Sequence, residues 1–113
     1  MFLPLLQLSL DLLALADDLL EHLPRGRGHL ADQLTRASTS IVLNIAEGAG
    51  KFSKADKRRY YLTAAGSATE SAAILDVCLR LKLAGPEARD AGKAMLDRIM
   101  SMLLMKLDKS IGE

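Results

Sequence analysis

A chain of 113 residues fits one domain, because halving it would leave two cores too small to bury enough surface. Half of it is hydrophobic but only 4% aromatic, with no Trp, and a palette of Leu, Ile, Met and Ala suits packed helices better than a sheet. A formal charge of +1 excludes binding of nucleic acid or anionic lipid by bulk attraction, so such contacts require a local patch, and the single Cys78 excludes an internal disulfide or a multi-cysteine metal site.

From Pro4 to Leu23 the leucines at positions 5, 8, 12, 15 and 19 keep to one face of a helix. The run lacks a basic leader and is broken by Asp11, Asp17, Asp18 and Glu21, so a cytoplasmic protein with no membrane contact is expected. Pro24-Arg25-Gly26-Arg27-Gly28 supplies a turn. A second helix is predicted over 29–47, with Leu30, Leu34, Ala37, Ile41 and Ile45 as its apolar stripe and Gly48 and Gly50 as its stop. Ser53, three residues before Asp56, caps a third over 53–83. Gly85-Pro86 breaks that helix and opens a fourth over 86–111. Four helices of similar length on short links predict an all-α, antiparallel up-and-down four-helix bundle.

The leucines of the first helix cover roughly 200° of its surface, more than one bundle buries. Leu6, Leu10, Leu13 and Leu20, with Met100 and Leu104 of the fourth helix, therefore predict an interface between copies in a homo-oligomer.

Ser40, Asn44 and Glu47 make a polar stripe beside Ile41 and Ile45, and Gly66, Ser67 and Glu70 lie among alanines that allow close helix approach. Two readings follow. The preferred one is a buried hydrogen-bond network of Ser40, Asn44, Glu47, Ser67 and Glu70 that fixes helix register. The other is a hydrolytic carboxylate pair, Glu47 and Glu70. Neither His22 nor His29 follows a glutamate by three residues, as bundle di-iron sites require, and no phosphate loop or nucleophile arrangement can be assembled. No metal, cofactor, small-molecule substrate or enzymatic activity is expected.

Lys51, Lys54, Lys57, Arg58 and Arg59 crowd the second connection, with Arg36 adding charge on the second helix. Repeated round an oligomer, they would form a rim able to contact phosphates or an acidic protein. Tyr60 and Tyr61 stand beside it and could stack on bases, although at this spacing at least one is expected to pack into the core. A solvated charged face is the plainer reading.

Gln33, Arg36, Ala37, Ser40-Ile41, Asn44-Ile45-Ala46-Glu47-Gly48, Tyr61, Ala64-Ala65-Gly66-Ser67 and Glu70 together resemble the signature of the "four helix bundle protein" family. That family includes proteins encoded within intervening sequences of bacterial 23S ribosomal RNA genes. It is similar to the accessory variability determinant of diversity-generating retroelements. The resemblance implies an antiparallel bundle assembled as a homopentameric barrel, and, from the retroelement relative, partnership with structured RNA or DNA or a nucleic-acid enzyme. The present chain departs from that basic relative in its near-zero net charge. A purely structural scaffold with protein partners is the alternative.

Overall fold

The structure, a computed structural model, describes residues 2–111, with the side chains of 3–108. It is an all-α four-helix bundle, 47 × 21 × 19 Å, with α1 at Phe2–Glu21, α2 at Gly28–Ala49, α3 at Lys54–Arg80 and α4 at Pro86–Ile111. Each helix packs on its neighbours in sequence, and α4 also packs on α1, closing the square. One core runs along the axis, built from Leu5, Leu12, Leu34, Ile41, Ile45, Leu75, Ile99 and Leu103 among others. On α1 the buried line passes through Ala16 where the leucine spacing points to Leu15, and Leu15 lies half-buried beside Gly92.

The helix ends differ from the sequence expectation for local reasons. The first helix stops at Glu21, because the peptides of His22 and Leu23 bond three residues back in a tightened turn ahead of Pro24. The third stops at Arg80 rather than Leu83. Lys82 takes a left-handed φ of 62°, its N–H reaching Leu79 O at 3.0 Å and that of Leu83 reaching Cys78 O at 2.8 Å. This is the paired-bond helix ending in which glycine is usual at the left-handed position. The second helix does not stop at Gly48 but continues to Ala49. Gly48 is buried, and a Cβ there would stand 2.7 Å from Tyr61 Cε1 and 2.9 Å from Cδ1. Glycine is present so that an aromatic ring can lie against the backbone. Ser53 behaves as expected, its Oγ accepting from the Asp56 N–H at 3.1 Å.

Between α3 and α4, Asp76 accepts from Lys93 Nζ at 2.8 Å and Arg89 Nη1 at 3.0 Å, and Arg89 Nε also lies 2.7 Å from Asp90 as an ion pair. The hydrogen bond from Lys93, then that from Arg89, holds the Asp76 carboxyl below its usual range. A lowered folded-state pKa contributes stability above the unfolded carboxyl value and loses it as pH falls through the folded value. Acid melting curves should therefore show stability declining below about pH 4. Asp76→Asn should flatten that decline, and an unchanged acid limb would refute the clamp.

Candidate functional site

The polar stripe of α2 meets α3 where small side chains stand. Ser40 Oγ and Ser67 Oγ share a hydrogen bond of 2.8 Å, and Asn44 Nδ2 donates to Ser40 Oγ at 3.0 Å and to Ser40 O at 2.8 Å. All three residues are half-buried. Glu47 and Glu70 are not part of this network: both are exposed, and Glu47 pairs with Lys51 at 3.5 Å. The reason is angular. On an ideal helix Glu47 sits about 60° further from the core line than Asn44, and Glu70 about 60° further than Ser67. A carboxylate left in water avoids the cost of burial. Gly66 is exposed with open space around it, so close approach at this level depends on buried Ala64 and Ala68 instead. Buried Ser71 adds a further small residue on α3, its hydroxyl bonding back to Ser67 O, and buried Ser38 of α2 likewise bonds back to Leu34 O.

The basic cluster assembles at one end of the bundle. Lys57 Nζ lies 3.3 Å from Gly48 O and 3.2 Å from Ala49 O, turning its charge onto the negative end of α2. Lys51 and Arg59 each stand 5.1 Å from the centroid of the Tyr60 ring, which holds two cations at the surface. Arg59 also meets Asp56 at 3.4 Å. Arg58 is half-buried, its Nη1 enclosed without a hydrogen-bond partner. Lys54 is exposed at the first turn of α3.

Sequence reading missed two members. Lys106, from α4, places its Nζ 5.7 Å from the Tyr61 ring, and the bundle topology that puts the end of α4 beside the second connection is the signal for it. Phe52 stands between Lys51 and Ser53 at the apex of that connection, completely exposed at 102%. Its signal was an aromatic in a basic turn with no apolar neighbour. Arg36 does not join the cluster: it is exposed in mid-α2, about 20 Å along the helix from Ala49 at 1.5 Å per residue. Tyr61 is buried, and its hydroxyl pKa is raised by that burial. Cys78 is likewise buried, its thiol pKa pushed up for the same reason.

Of the residues expected at an interface, Leu10 and Leu104 are exposed, at 40% and 51%, and Leu13 is half-buried. Leu6, Leu20 and Met100 instead pack partly against this chain's own core. Further exposed apolar side chains were not foreseen: Leu62 and Val77 on α3, and Leu81 at its C-cap. Among the described residues no helix is long and apolar enough to cross a membrane, and no group of three or more His, Cys, Asp or Glu could hold a metal ion.

These features define a small helical bundle with a cationic end and apolar side chains left exposed on several helices. The chain belongs to the 23S rRNA-intervening sequence protein family, whose model matches residues 3–105. It is similar in fold to the crystal structure of a protein of unknown function from the S23 ribosomal protein family of Bacteroides thetaiotaomicron. That likeness has a TM-score of 0.84 at 22% identity, covering 91% of this chain and 97% of that one. No curated protein matches the chain.

Proposed function

We propose that the chain is a non-enzymatic, homo-oligomeric interaction module that engages nucleic acid through the basic end of its bundle. The observation that carries this reading is the gathering of Lys51 and Arg59 on Tyr60 and of Lys106 on Tyr61, with Lys54 and Arg58 in the first turns of α3 and Lys57 on the negative pole of α2. Phosphates would meet cations there, and Lys57 offsets the negative pole of α2. Membership of a family described by a ribosomal RNA intervening sequence is consistent with such a partner.

The test is titration of a labelled structured RNA, read by fluorescence anisotropy at low and moderate salt. Binding is expected at low salt, and the Lys54→Ala, Arg58→Ala, Arg59→Ala triple variant should weaken it about 10-fold or more. No binding at low salt, or the same affinity in the triple variant, would leave the scaffold with protein partners as the better reading.

We also infer that the helices run antiparallel throughout. Ser40 meets Ser67 while Gly48 meets Tyr61, and Asp76 meets Lys93 while Tyr61 meets Lys106, so numbering rises along one helix as it falls along the next. Beyond the core, Leu10 of α1, Leu104 of α4, and Leu62 and Val77 of α3 are left exposed, so apolar side chains reach the surface on three helices. A two-fold dimer uses one patch on both copies, whereas a ring needs two different patches that meet head to tail. Exposed apolar positions on different helices supply candidates for two such patches, and we take the pentamer of the family resemblance as the expected size.

A further inference from the structure

We propose that Phe52 is a stacking platform for an unpaired base, making the α2–α3 connection selective for single-stranded over duplex nucleic acid; the inference rests on the nucleic-acid reading above. Of the three aromatics at this end whose side chains are described, two are engaged. Tyr61 is buried beneath Lys106, and the Tyr60 ring is taken by Lys51 and Arg59. Phe52 alone among them offers an open ring, and no part of it is covered.

The backbone that carries it is held. The Gly50 N–H bonds back to Ala46 O and Glu47 O, the Lys51 N–H to Gly48 O, and Ser53 caps α3, so the apex is held from both sides. Binding then has to order little more than the ring itself. The surroundings select the partner. Lys51 precedes Phe52 and Lys54 follows it by two residues, so the patch combines one π face with cations rather than a continuous apolar surface. A protein groove or a bilayer anchor gains from adjoining apolar side chains. An unpaired nucleotide offers a flat ring beside a phosphate, the combination found here. In a duplex the base faces are already stacked and only their edges reach the grooves.

The experiment compares a 20-nucleotide single strand with a hairpin duplex of equal phosphate count, by anisotropy at fixed low salt, for wild type, Phe52→Ala and Phe52→Trp. Phe52→Ala should weaken single-strand binding about 5- to 100-fold and leave duplex binding within about 2-fold. The chain has no Trp, so Phe52→Trp adds a unique fluorophore, which should retain affinity and be quenched by the single strand. If wild type binds both forms equally and Phe52→Ala changes neither, the stacking role is overturned while the basic-end reading stands. If neither nucleic acid binds, the basic-end reading fails and takes this one with it. Phe52-dependent capture by phosphatidylserine vesicles without single-strand preference would overturn it in favour of a membrane surface.

Discussion

Gly48→Ala should melt about 5 to 15 °C below wild type, a loss of about 1 to 3 kcal/mol, although alanine is the better helix former. Propensity alone predicts the opposite sign, since replacing an interior helical glycine by alanine gains about 1 kcal/mol. Packing decides the outcome. The new methyl would lie 2.7 and 2.9 Å from two carbons of the Tyr61 ring, closer than any Cβ contact tolerates. The ring has little room to retreat, being 5% exposed within the core. A double-mutant cycle isolates the cause: in a Tyr61→Leu background, which removes the ring, the same substitution should be neutral or stabilising. Equal destabilisation in both backgrounds would show that the glycine serves the backbone and not the neighbour.

The proposed head-to-tail ring predicts a large change in size from small changes in sequence. Leu10→Glu with Leu104→Glu should dissolve it by charging exposed positions of α1 and α4, and Val77→Glu with Leu81→Glu should do the same from the C-terminal end of α3 and its cap. Both variants should remain folded, because these four side chains are 40% exposed or more. Mixing the two supplies the sharper result. Each retains the patch the other has lost, so a head-to-tail interface allows one junction between unlike copies and light scattering should report a one-to-one dimer. A monomeric wild type at micromolar concentration would remove the ring altogether. A mixture that stays monomeric while wild type is oligomeric would mean that one patch meets itself.

The four helices could be read from the leucine and isoleucine spacing, because the core line of each obeys a single period over several turns. The Ser40–Ser67 meeting could be anticipated as well, since two polar positions beside alanines on successive helices have few other partners. Sequence could not distinguish Gly48 the stop from Gly48 the seat of a ring. Both uses place a glycine near a helix end, and only the arrival of Tyr61 thirteen positions later separates them. The fates of Glu47 and Glu70 escaped for another reason. A helical stripe fixes direction only to within about a quarter-turn, and a long carboxylate at the margin swings outward to water. Arg36 failed as a rim residue because proximity in composition is not proximity along a rod. Phe52 and Lys106 were overlooked because each acquires meaning only when three separate helix ends are brought together.

The near-neutral charge of the whole chain conceals how that charge is arranged. Fifteen Lys and Arg are set against fourteen Asp and Glu, and five of the cations fall within Lys51–Arg59, so the remaining surface carries an anionic excess. Such a body has a small monopole and a local cationic pole at the second connection. It would turn its cationic pole toward a polyanion before touching it, and its weak net field would leave it indifferent to bulk acidic surfaces at the same distance. Orientation rather than attraction would then be the first step of recognition, and a ring of parallel copies would gather the cationic poles of its members on one face.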